Sequence, residues 1–135
     1  MARKLYVFLR SDLESMTPGK AAAQVAHAAT QHALQDHGSS RFEEWAGTID
    51  FGTTIVLDAG SFEGLDVEHN GKFRPYPSGP LARMVTDTSY PLRDGKIVHE
   101  LILHTCYWMF IDPEGETETT REWLRTFKLY NGNHD

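Results

Sequence analysis

The chain has 135 residues, with 13 Lys and Arg against 19 Asp and Glu, so its formal net charge is −6 at pH 7. This length suits a single hydrophobic core, and 40% hydrophobic with 24% charged residues excludes wholesale disorder. The acid excess excludes a protein that coats nucleic acid by bulk charge, and the apolar run from Tyr107 to Ile111 is far too short for a membrane span.

Leu5-Tyr6-Val7-Phe8-Leu9 is a short continuous run of β-formers, the pattern of a strand buried on both faces. It stops at Arg10 and is too short for a signal peptide. The polar stretch Arg10 to Met16 reads as a loop, and Thr17 and Pro18 then open a helix. A threonine side chain caps free N–H groups there, and proline at the first helical position lacks a donor that would go unpaired. This helix is expected to end near Asp36, with Gly38 past its end. Strand, loop and helix in that order open a βαβ unit, whose ligands lie at the strand's carboxyl end.

Ser40-Arg41-Phe42-Glu43 has capping-box spacing and predicts a short helix through Trp45, closed by Gly47. Thr53 to Leu57 is the second predicted strand. From 59 to 80, Gly and Pro punctuate the chain and predict mostly loop, with one helical turn after Ser61. Leu81 to Thr86 predicts a third strand and Asp94-Gly95 a turn. Ile97 to Ile111 predicts one long strand, or two joined by a bend, ended by Pro113. Thr117 to Tyr130 is the last predicted helix, with Trp123, Leu124, Phe127 and Tyr130 as its apolar stripe. The expected architecture is α/β: a compact three-layer α/β/α domain over residues 1–135, with a small mixed sheet of about four strands and helices on both faces.

The first helix is the most informative segment. Lys20, Gln24, His27 and Gln31 recur at spacings that align them on one stripe. That stripe begins at a helix N-terminus, where free N–H groups, the helix dipole and the Lys20 charge favour a phosphate or an oxyanion. A solvated polar face on an amphipathic helix has the same spacing. The spacing alone does not separate the two.

Arg10-x-Asp12-Leu13 followed by Gly19-Lys20-x-Ala22-Ala23-Gln24-x-x-His27-Ala28 resembles the signature of the type 2 peptidyl-tRNA hydrolases. Phe42-Glu43-Glu44-Trp45, Thr86-Asp87, Thr105, Ile111-Asp112-Pro113 and Phe127-Lys128-Leu129-Tyr130 extend the resemblance more faintly. It implies hydrolysis of the ester between a peptide and the 3′ ribose of tRNA, without metal or other cofactor, by a cytoplasmic homodimer. The family's functional residues map onto Lys20, Gln24, His27 and Asp87. Asp87, expected at a strand's end, would orient or deprotonate the attacking water, with a nearby Lys20 favouring orientation. Lys20 would neutralise a phosphate or oxyanion, and Gln24 would hold the water or the ribose. Arg10, Asp12, Thr88, Ser89 and Thr105 are the implied substrate contacts.

Two departures from the family pattern bear on the chemistry. The threonine expected four residues after Asp87 is Pro91, with Thr88 and Ser89 as the nearest hydroxyls, and the glycine before Thr105 is His104. A binding module without turnover, or an interaction scaffold on the same fold, are therefore the alternatives to an enzyme.

The other candidates are weaker. Seven histidines form no metal-ligand spacing: His27 and His32 diverge on a helix, and His32 with Asp36 supplies only two ligands. Cys106 sits in an apolar run, so a buried inert thiol is expected, and one cysteine permits no internal disulfide. Tyr107 and Trp108 alternate on a strand, predicting one buried aromatic ring and one that is exposed or at an interface. Asp36 to Asn70 holds eight acidic residues and only Arg41 as a base, whereas Lys72, Arg74, Arg83, Arg93 and Lys96 make 71–100 locally basic. Lys72, Arg74 and Arg93 are thus expected either to contact RNA backbone near Asp87 or to be ordinary solvated charges.

Overall fold

The computed structural model describes residues 3–48, 51–75, 80–112 and 117–131. The chain runs β1 (Lys4–Arg10), α1 (Pro18–Asp36), α2 (Ser40–Ala46), β2 (Thr53–Gly60), a 3-10 turn (Phe62–Leu65), α3 (Val67–Asn70), β3 (Leu81–Asp94), β4 (Ile97–Ile111) and α4 (Glu118–Leu124). The four strands form one mixed sheet in the order β2-β1-β4-β3. β1 is parallel to β2 and antiparallel to β4, and β3 and β4 form a long antiparallel hairpin.

β1 is apolar from Leu5 to Leu9, between Lys4 and Arg10, because both faces of the sheet are covered there. Leu5, Val7 and Leu9 point into a core shared with Ala21 and Ala28 of α1. Phe8 points the other way, into a core with Leu65, Val67 and Leu124. The same coverage buries both Tyr107 and Trp108, correcting the expected split: alternation sends them to opposite faces, and neither face meets solvent.

Thr17 caps α1 as expected, accepting from the Lys20 N–H at 3.4 Å. The small residues Ala21 and Ala28 let α1 lie close to the sheet, and His32 and Asp36 continue the same buried stripe. His32 is fully buried among Phe42, Trp45, Trp108 and Phe110, with ring centroids 4.3 to 5.3 Å away. α2 is capped by Ser39, one residue before the predicted Ser40; its side chain accepts from the Phe42 N–H.

Three boundaries differ from the sequence reading. β3 continues past Thr86 to Asp94, so Asp87 lies inside a strand rather than at its end. The segment after β2 forms the expected helical turn just after Ser61, as the 3-10 turn, and adds the short α3. α4 stops at Leu124; Leu129 then bridges to Leu57, and the Tyr130 N–H donates to the Val56 carbonyl. The tail therefore covers the outer edge of β2, and Tyr130 packs in the α1-side core, apart from Trp123, Leu124 and Phe127. The predicted strand end at Pro113 lies outside the described residues.

Two irregularities in the hairpin shape the site. β4 gains one residue, Thr105, between the pairs Val85–Cys106 and Thr86–His104. β3 gains one between the pairs Asp87–Leu103 and Tyr90–Leu101, where Thr88 and Ser89 loop out. Bulges of this kind re-aim side chains. Above them the arms of the hairpin run on past the end of β1, whose last partner in β4 is Cys106.

Candidate active site

The residues at the centre of the site come from α1 and from the two bulges. Gln24 is only 3% exposed, and its Nε2 donates to Asp87 Oδ2 at 2.7 Å. Its Oε1 accepts from the buried Thr105 hydroxyl at 2.6 Å. The other Asp87 oxygen, Oδ1, accepts the Ser89 N–H at 2.9 Å, a contact that the looped-out bulge of β3 allows. Strand alternation would put Thr105 and Cys106 on opposite faces; the bulge of β4 turns both toward α1. The Cys106 thiol accordingly donates to the Gln24 carbonyl at 3.6 Å. Burial pushes that thiol up to about 12, in keeping with an inert side chain.

Lys20 stands one turn before Gln24. Its ammonium donates to the Pro91 carbonyl at 3.3 Å and lies 5.6 Å from the centroid of the Tyr90 ring, within cation–π range. It makes no direct ion pair with Asp87 among the described residues. Two parallel attachments tie α1 to β3 here, Lys20 to Pro91 and Gln24 to Asp87. Tyr90 is fully buried; Ser15 donates to its hydroxyl oxygen at 3.0 Å, and desolvation raises its pKa. Sequence reasoning does not single out Tyr90 or Ser15. The one signal for them is the Tyr-Pro pair close behind Asp87, where a strand must break its regular pairing.

Arg10 and Asp12 form a two-pronged pair, Nε to Oδ1 and Nη2 to Oδ2, both 2.9 Å. A third guanidinium donor reaches the His104 carbonyl at 3.2 Å. The hydrogen bonds to Arg10 hold the Asp12 carboxyl below its usual range, and the pair ties the end of β1 to β4. The Ser11 and Asp12 N–H groups both donate to the Gly60 carbonyl. Gly60 has φ +74°, a conformation that glycine adopts without steric cost. It sits where the β1–β2 register shifts.

The structure does not gather every predicted residue. His27 lies on the exposed flank of α1, without a hydrogen-bond partner among the described residues. The expected polar stripe therefore splits: Lys20, Gln24 and Gln31 turn to the sheet, Gln31 accepting from Trp108 Nε1 at 2.6 Å. Thr105 is fully buried under Gln24, so it is no surface contact for a substrate. Thr88 and Ser89 are exposed beside Asp87. Lys72 and Arg74 are exposed, but Phe73 between them packs in the core opposite α1. Arg93 is exposed higher on the hairpin, opposite Val98. Among the described residues none of these three bases makes a hydrogen bond or ion pair to Asp87. The His104 ring faces away from Gln24, its Nδ1 2.9 Å from Thr86 Oγ1 and its plane stacked on Phe62, so its bulk does not obstruct the Gln24–Asp87 contact.

Among the described residues no group of three or more His, Cys, Asp or Glu side chains is arranged to hold a metal ion, and no helix is long and apolar enough to cross a membrane. The arrangement puts an amide against a carboxylate, with an ammonium one helical turn before that amide. Residues 3–69 match the family model described as peptidyl-tRNA hydrolase PTH2. The match takes in Lys20 and Gln24 and ends before Asp87 and Thr105. No curated protein matches the chain.

Proposed function

We propose that residues 1–135, of which 3–69 match the peptidyl-tRNA hydrolase PTH2 family model, act as one domain that hydrolyses the ester joining a peptide to the 3′ ribose of tRNA. The Gln24–Asp87 hydrogen bond carries the reading. It joins a residue of the family-matched half to a carboxylate of the other half, at the carboxyl end of β1 where α/β folds take their ligands.

In the proposed reaction, Asp87 and Gln24 orient a water toward the ester carbonyl carbon. As the water oxygen bonds to that carbon, negative charge grows on the carbonyl oxygen, where the Lys20 ammonium and the second Gln24 N–H offset it. The bond to the ribose oxygen then breaks, and that oxygen takes up the proton the water releases. The products are a peptide acid and a tRNA with a free 3′ end. Lys20 keeps two of its three donors beyond its bond to Pro91. The hydroxyl that the family pattern puts at Pro91 is replaced, in this reading, by the exposed Thr88 and Ser89 and by the Pro91 carbonyl that holds Lys20.

A peptidyl-tRNA cleavage assay on purified wild type, Lys20→Ala and Asp87→Asn tests the proposal. Wild type is expected to turn over, and each variant to lose on the order of 10²-fold or more. A wild-type protein that binds tRNA without cleaving it is a binding module; one that does neither is a scaffold. A cytoplasmic homodimer belongs to the same proposal, and sedimentation of the active protein checks its oligomeric state.

A further inference from the structure

We propose that Thr105 is a positioning residue, setting which way the Gln24 amide faces and thereby presenting an N–H to Asp87. The inference rests on the hydrolase reading for its consequence in turnover, and on geometry alone for the orientation itself. A glutamine amide is almost the same shape after a half-turn, so its partners decide where oxygen and nitrogen go. An ionised carboxylate only accepts, so Nε2 must face Asp87 and Oε1 must face Thr105. The buried Thr105 hydroxyl therefore acts as donor, and its proton points along the chain Thr105 to Gln24 to Asp87.

Each partner in that chain depends on the one before it. Without the threonine hydroxyl, Oε1 would be buried with no donor, since Gln24 is 3% exposed, and a buried unsatisfied acceptor is costly. The amide relieves that cost only by turning, which brings its oxygen against the Asp87 carboxylate. In the observed orientation one Nε2 proton is engaged by Asp87, and the second has no partner among the described residues. That second proton is the one the proposed reaction uses. The bulge of β4 makes the arrangement possible, because it sends Thr105 to the side chain of Gln24 and Cys106 to its carbonyl.

Thr105→Val keeps the shape and removes the donor; Thr105→Ser keeps the donor. The tests are steady-state peptidyl-tRNA turnover and ¹H–¹⁵N NMR of the Gln24 side-chain amide. Wild type is expected to show two well-separated Gln24 amide protons protected from exchange. Thr105→Val is expected to lose that protection and about tenfold in kcat with KM held, and Thr105→Ser to restore both. Wild-type amide signals retained in folded Thr105→Val overturn the proposal whatever the activity. Should Thr105→Val fail to fold, an unprotected Gln24 amide in wild type or in folded Thr105→Ser overturns it equally. Protected amide signals in a wild type that cleaves nothing would instead refute the hydrolase reading and support the positioning.

Discussion

His32 supports a quantitative prediction. The ring is fully buried among four aromatic side chains, and neither nitrogen has a hydrogen-bond partner among the described residues. The nearest opposite charge, Asp36 Oδ2, is 3.9 Å from Nε2 and is engaged by Arg41. Desolvation pushes the imidazole down from 6.5 to about 4, partly offset by Asp36. The folded protein thus holds His32 neutral, while the unfolded chain takes up a proton below pH 6.5. Stability from this group is complete above about pH 7, falls as pH drops from 6.5 to 4, and levels off below. The full loss is about 3 kcal/mol, and between pH 7 and pH 5 it is about 2 kcal/mol. His32→Leu, of similar volume, removes the titration and costs less than about 1.5 kcal/mol at pH 7. Urea unfolding of both proteins at pH 7 and pH 5 gives a double difference, in which carboxylates common to both cancel. The wild-type advantage is expected to fall by about 2 kcal/mol on acidification. A double difference near zero would show that His32 is protonated in the fold or reaches solvent, and would refute the reasoning.

Four further outcomes are expected. Tyr90→Phe keeps the ring beneath Lys20 and loses the hydroxyl bonded to Ser15, so it should destabilise by about 1 kcal/mol while turnover stays within about threefold of wild type; a much larger loss of turnover assigns the hydroxyl a part in the chemistry. Cys106 should remain unreactive toward a thiol reagent in the native protein and react once in denaturant, and rapid native labelling would contradict its burial. Exhaustive chelation should leave turnover unchanged, and loss restored by zinc or magnesium would refute a reaction run by side chains alone. Binding of tRNA should weaken with salt at a log–log slope of about −2 to −3, as for about three phosphate contacts; a slope beyond about −6 would mean about seven contacts or more and refute so small a docking face.

The elements legible in the sequence are those whose signals are local. Thr17 and Pro18 mark the start of α1, the run from Leu5 to Leu9 marks a strand covered on both faces, and Lys20, Gln24 and Asp87 each stand in a short motif that singles them out. What stays hidden depends on pairing. Thr105 turns inward only because β4 carries one residue more than β3 at that point, and strand periodicity has no way to register an extra residue in a partner. Tyr107 and Trp108 are split between core and surface by alternation, which tells which face a residue takes and not what covers that face. His27 keeps the helical spacing of its neighbours yet lies on the exposed flank, since the stripe is wider than the contact with the sheet. The tail reads as helix to Tyr130 because Trp123, Leu124, Phe127 and Tyr130 satisfy helical spacing, while the open edge of β2 offers Leu129 and Tyr130 backbone partners that spacing cannot reveal.

The strand order β2-β1-β4-β3 has a consequence for how the protein comes to be active. The β3–β4 hairpin closes over a turn at Gly95 and Lys96, one residue later than Asp94-Gly95, and pairs near neighbours, so it can form early. β1 must find β4 across most of the chain, with Leu9 opposite Cys106. Closing so long a loop is slow, because its entropy is lost before the contact rewards it. Gln24 and Asp87 are 63 residues apart and Gln24 and Thr105 are 81 apart, so both contacts wait for that closure. A partly folded chain with α1 and the hairpin each complete would have no site. A ligand that bridges Gln24 and Asp87 would in turn act as a clasp on the slowest step, slowing unfolding as well as shifting its equilibrium.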